Sequence, residues 1–117
     1  MGMRSVWSVW LWLGIIVACD RTPTISLTTE DFRFVPDLVR IDSSNPVALS
    51  IYNAGREVHE FDSPVLLYGG APPTGSAGIQ LQPGQTVRLI LAPPAGTYLY
   101  VCRRKGHANM TGTLIVQ

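Results

Sequence analysis

Charged side chains are scarce in this sequence of 117 residues, at 15% against 46% hydrophobic. The formal net charge is only +1. That excludes the basic footprint of a nucleic-acid binder and gives no reason to expect an acidic polymer as partner. No apolar run reaches the roughly 20 residues that a spanning helix needs. The longest, Val6 to Ala18, stops at 13. No stretch keeps a 3.6-residue apolar period, so a helical bundle is excluded. Internal repeats and low-complexity runs are absent as well. Cysteine is limited to two residues and histidine to two, so any chemistry they carry must be concentrated at very few positions.

The N-terminus reads as an export signal. Arg4 supplies the positive region and Val6 to Ala18 the apolar one. Whether or not the signal is cleaved, the rest of the chain lies outside the cytoplasm. Ile16-Val17-Ala18-Cys19 resembles the lipobox of bacterial lipoproteins. The resemblance implies a signal at 1–18, cleavage before Cys19 and a lipid anchor on Cys19. Asp20 is then similar to a signal for retention in the inner membrane, with the domain on its periplasmic face or on the envelope exterior. Several acyl chains on one cysteine would hold stably where a single chain is marginal. An uncleaved membrane anchor and a Cys19–Cys102 disulfide are the alternatives. Lipid on Cys19 leaves Cys102 a lone thiol in an oxidising compartment, where a bound metal would protect it.

Residues 22–117 form one domain, a common size for a Greek-key β-sandwich. Period-two patterns predict about seven to eight strands in an all-β fold. Thr24 to Thr29 opens the series. Phe32 and Phe34 are expected on one face with Arg33 opposite, and Leu38 to Ile41 resumes after the turn at Pro36-Asp37. Beyond a turn at Ser43-Ser44-Asn45-Pro46, alternation puts Val47, Leu49, Ile51 and Asn53 on one face. Gln80 to Gln82, Thr86 to Leu91, Thr97 to Cys102 and Gly112 to Val116 complete the set. Ser63 to Gly78, rich in Gly and Pro, is expected as a crossing loop with a helical turn near Val65 to Tyr68.

Past the signal, the soft metal ligands are His59, Cys102, His107 and Met110, and three of them lie within nine residues. A thiolate, two imidazoles and a thioether suit copper that alternates between Cu(I) and Cu(II), because sulfur favours the reduced ion and imidazole accepts both. Cys102 and His107 differ by an odd number of positions and cannot share a strand face. A loop can bring them together, with Cys102 ending one strand, Met110 starting the next and Gly106 allowing the bend. His59 must come from another strand end. Trigonal His₂Cys with a weak axial Met is the blue-copper arrangement.

At these residues the sequence is similar to the cupredoxins of the plastocyanin/azurin type over nearly its whole mature length. The matching stretches are Asp31 to Pro36, Asn53-Ala54-Gly55 leading to His59-Glu60-Phe61, Pro94 to Cys102, and Gly106-His107 with Met110 to Val116. The resemblance implies His59 as a ligand and Asn53 as a residue that hydrogen-bonds the ligand loop and orients the site. It also implies the exposed edge of His107 as the electron's exit. Only Ala108 and Asn109 separate His107 from Met110, fewer residues than in many relatives.

The expected function is one-electron transfer by a monomer holding one copper, with redox proteins such as a cytochrome or oxidase as partners. A periplasmic carrier or resistance protein that sequesters or delivers copper with the same ligands is the alternative. No base–nucleophile pair remains, so no enzymatic activity is expected. Arg103-Arg104-Lys105 stand inside the ligand loop, although basic and acidic residues number eight each once Arg4 is removed. They read either as a solvated loop or as a collar that steers an acidic partner.

Overall fold

Short strands, paired both ways, make up nearly all the regular structure of the computed structural model, which describes Gly2 and residues 22–42, 46–69 and 78–117. The proposed signal, Cys19 and the turn at Ser43 to Asn45 lie outside these residues, as do residues 70–77 of the crossing loop. Among the described residues no helix is long and apolar enough to cross a membrane.

Among the described residues nine strands appear in order: β1 (Thr24–Glu30), β2 (Arg33–Val35), β3 (Leu38–Ile41), β4 (Val47–Asn53), β5 (His59–Phe61), β6 (Ile79–Leu81), β7 (Thr86–Leu91), β8 (Gly96–Val101) and β9 (Thr111–Val116). One sheet has the order β2-β1-β4-β7, with β1 parallel to β4. The other has β3-β9-β8, with β3 parallel to β9. Paired hydrogen bonds between Asp62 and Val101, of 2.9 and 2.8 Å, join the β5–β6 hairpin to the β8 edge. The all-β sandwich expected from the alternation is what forms. The count exceeds eight because the chain changes sheets at Pro36. That residue has no N–H to continue a ladder, so β2 stays with β1 while β3 crosses to β9.

Alternation predicts β4 correctly: Val47, Leu49, Ile51 and Asn53 all face inward and are buried. Phe34 is buried too, but Phe32 is 53% exposed and does not share its face. The reason is backbone. Phe32 stands in the β1–β2 turn at φ 77°, which rotates its side chain away from the strand's pleat. The helical turn near Val65 is a 3-10 helix, Pro64–Tyr68, capped by Ser63, whose side chain accepts from the Val65 amide at 3.2 Å.

The core beneath the end where β5 begins and β8 stops is aromatic. Tyr100 stacks on Phe61 with centroids 5.6 Å apart and meets Phe34 edge-on at 5.1 Å. Its hydroxyl donates to the Pro36 carbonyl at 2.8 Å, tying β8 to the sheet crossing. Burial pushes its pKa up to about 12. Gly112, on β9 opposite Tyr100, leaves room for that ring. A Cβ there would overlap the ring, which cannot retreat because two aromatics and a hydrogen bond hold it. Gly112→Ala is therefore expected to cost about 1–3 kcal/mol, the usual range for overpacking. Urea unfolding of the variant checks this, and an unchanged midpoint would refute it.

Candidate metal centre

Three of the four expected donors meet at one end of the sandwich, two delivered by strand ends and one by a loop. His59 is the first residue of β5. Cys102 follows directly on β8, and His107 lies in the loop between β8 and β9. This loop is closed by its own backbone. The Cys102 amide donates to Met110 O at 3.0 Å, the His107 amide to Arg104 O at 3.1 Å, and the Met110 amide to His107 O at 3.3 Å. Gly106 takes φ 87° just before His107, the bend that the sequence reserves for it. Met110, 1% exposed, sits where the loop rejoins β9.

The donor atoms of His59, Cys102 and His107 all lie within 4.8 Å of one another, and all three residues are buried. His59 Nδ1 is 3.3 Å from His107 Nδ1, and Cys102 Sγ is 3.4 Å from His107 Nδ1. Donors at about 2.0–2.3 Å from a first-row metal ion in a trigonal plane stand ~3.5–4 Å apart. The spacing fits such an ion.

The outer ring nitrogens explain why both Nδ1 atoms point inward. His59 Nε2 lies 2.9 Å from Asp31 Oδ1, and His107 Nε2 lies 2.9 Å from Glu57 Oε2. A carboxylate can only accept, so in each neutral ring Nε2 carries the proton and Nδ1 keeps its lone pair. Two lone pairs and a sulfur then converge on one point, a donor set suited to a cation. The Glu60 amide also donates to Cys102 Sγ at 3.4 Å, which helps to fix where the sulfur points.

Asn53 ties the His59 side of the site together. Its Nδ2 donates at 2.9 Å to both Glu57 O and Leu81 O, and its Oδ1 accepts from the Gly55 amide at 2.9 Å. Leu81 is the β6 partner of His59. One buried amide thus fixes the end of β4, the Ala54–Val58 loop and the hairpin that begins with His59.

Two residues that sequence reasoning passed over complete the site. Asp31, in the β1–β2 turn, accepts from the Arg56 amide at 3.0 and 3.1 Å and from the Glu57 amide at 3.3 Å. The Arg56 amide first, and then the His59 ring, holds its carboxyl below the usual carboxylate range. Glu57 reaches across to His107. An acidic residue in a turn has no sequence signature for this role, since both contacts span some 28 and 50 positions. Phe32 was legible as a hydrophobe but not as a cover: its ring stands edge-on to His107 with centroids 5.1 Å apart.

The expected exit edge of His107 is consequently not bare. That residue is 5% exposed, its ring beneath Phe32 and its outer nitrogen against Glu57. The basic triplet also divides. The Arg103 guanidinium pairs with Asp62, beside β5, leaving Arg104 and Lys105 exposed in the loop.

The sequence model of the cupredoxin-like domain family matches residues 4–116. No curated protein matches the sequence significantly. Similar solved structures include the sodium-dithionite-reduced auracyanin of the photosynthetic bacterium Roseiflexus castenholzii. It is 18% identical, with 82% of this chain and 98% of that one covered and a TM-score of 0.63. Auracyanin B is 23% identical, covering 84% and 92%, at a TM-score of 0.64. Auracyanin A, a "blue" copper protein of the green thermophilic photosynthetic bacterium Chloroflexus aurantiacus, is 20% identical, covering 82% and 99%, at 0.62. At these identities the likeness is one of fold.

Asn53→Ala would strand the Gly55 amide and the carbonyls of Glu57 and Leu81. An unpaired buried group costs ~1–3 kcal/mol; only the Leu81 bond is fully buried, the other two being part-buried and partly open to water, so a loss of about 2–4 kcal/mol is expected in urea unfolding of the metal-free protein. A loss below about 1 kcal/mol would show that water replaces these bonds at little cost.

Proposed function

The chain belongs to the cupredoxin-like family, and from that premise we propose that it carries single electrons through one copper ion in the cell envelope. The observation that supports this reading is the convergence of His59 Nδ1, His107 Nδ1 and Cys102 Sγ, with both rings held in the tautomer that a metal needs. These three atoms would hold the ion. Met110, at the end of the same loop, would add a weak thioether donor. Bound copper would supply the Cu(I)/Cu(II) couple.

The remaining residues keep that couple in place. His59 is bound to Asp31 and His107 to Glu57, so neither ring is free to turn when the charge at the centre changes. Burial of Cys102 at 8% exposure keeps solvent oxidants from the sulfur. The donor residues are 0, 5 and 8% exposed, which supports retention of the ion over delivery to an acceptor. No residue pair for acid–base or nucleophilic work is needed. A redox protein would meet the domain at the end where Phe32 and Glu57 cover His107, with Arg104 and Lys105 flanking the contact.

The same reading takes 1–18 as a lipoprotein-type signal, Cys19 as the lipid anchor and 22–117 as the copper-binding domain. Only Asp20 to Pro23 separate the anchor from β1, so the partner would be membrane-bound or would diffuse along the surface. In the Cys19→Ala variant, the protein is expected to stay unprocessed or leave the membrane. Unchanged mature mass and membrane attachment would remove the lipid anchor from the proposal.

The copper site has its own test. The full chain, loaded with one equivalent of Cu(II), is expected to show an intense thiolate-to-copper band in the visible. Cys102→Ser should abolish it, because an alcohol oxygen cannot supply the sulfur charge transfer. Met110→Leu should keep the colour and shift the reduction potential. A colourless wild-type copper complex would sink the blue-copper reading.

A further inference from the structure

We propose that Asp31 and Glu57 set the redox balance of this centre, acting as positioning residues through the outer nitrogens of its two histidines. The inference rests on the copper reading above and extends it to two residues that touch no donor electron pair themselves. Each histidine has its own carboxylate, at the same 2.9 Å. A backbone carbonyl would hold a ring equally well in the same tautomer, but without charge. Here both partners are ionisable acids, and the fold takes trouble to keep one of them in place.

Asp31 is fixed from three sides. The amides of Arg56 and Glu57 donate to its carboxylate, and Gly55 passes so close that a Cβ would overlap Oδ1 and come within 2.9 Å of His59 Nε2. The segment that aims Asp31 also carries Glu57, so one short loop supplies the orientation of both rings. Its far end is anchored by Asn53, which accepts from Gly55 and donates to Glu57 O.

The electrostatic consequence has a definite sign. With a thiolate and two neutral imidazoles, the centre carries no net charge around Cu(I) and one positive charge around Cu(II). Negative charge on the far side of each ring stabilises the positive form more than the neutral one, and makes each imidazole the stronger donor. Oxidation sends one electron to an external one-electron acceptor, and no bond to Asp31 or Glu57 forms or breaks. Both carboxylates therefore favour Cu(II) and lower the potential. The Glu57 side chain is 53% exposed and the Asp31 side chain 31%, so solvent screens Glu57 more and its share is the smaller.

Two measurements on the full chain test this. In the metal-free protein, at a pH where both rings are neutral, nitrogen-15 spectra should show a protonated Nε2 and a bare Nδ1 in both histidines. Asp31→Ala should mix the tautomers of His59 alone, and Glu57→Ala those of His107 alone. In the copper-loaded protein, spectroelectrochemical titration of Asp31→Asn should give a higher potential. A tenfold gain in relative preference for Cu(I) reads as about 59 mV for a one-electron couple. Glu57→Gln should move the potential the same way by less, and because that side chain is exposed the fold should tolerate it. Tautomers unmoved in the alanine variants, or potentials unmoved in the amide variants with the visible band intact, would overturn the proposal. Absence of that band in the wild type would instead fell the copper reading, and the redox role with it.

Discussion

Two imidazole nitrogens 3.3 Å apart, each with its lone pair facing the other, repel unless something positive lies between them. Most of the metal-binding end of this domain exists to sustain that arrangement. The rings cannot turn because their outer nitrogens are held by Asp31 and Glu57. The carboxylates cannot leave because backbone amides and a buried asparagine fix the loop that bears or binds them. Beneath, Tyr100 and Phe61 support the strand ends from which Cys102 and His59 emerge. A protein selected only for stability would replace such a cluster with hydrophobes, since buried polar groups that depend on one another add little net free energy.

Much of this was legible from residue types alone. The odd separation of Cys102 and His107 demanded a loop, and the structure closes one with three backbone hydrogen bonds. Asn53 was expected on the inward face of β4 and is there, although its bonds serve the loop before His59 and the β6 strand. What could not be read were contacts between residues distant in sequence with no period or motif to relate them. Asp31 looks like an ordinary turn acid until β1 and β4 are paired, Thr29 lying opposite Asn53, which places it over the loop after β4. Arg103 looked like one of three equivalent cations, and only the Asp62–Val101 bridge sets it beside its counterion.

Phe32 shows where local and global preferences part. A left-handed backbone costs a bulky residue about 1–2 kcal/mol, and alternation would have turned the ring inward beside Phe34. The structure instead keeps φ at 77° and leaves the ring half in water, against both histidines at 5.1 and 6.5 Å. Glycine or asparagine would relieve the backbone but would open the centre to solvent. Violations of this kind concentrate where function sets the requirement.

The strand order carries a consequence for biogenesis. Among the described residues β3 pairs with β9 alone, while β1, beyond its pairing with β2, also pairs with β4. The second sheet therefore cannot close until the C-terminal strand is available. Such long-range pairing folds slowly. The thiol just after β8 and the imidazole that precedes β9 are therefore assembled in the same late event, so the donor set exists only on a finished fold and any ion must be taken up after the last strand has paired.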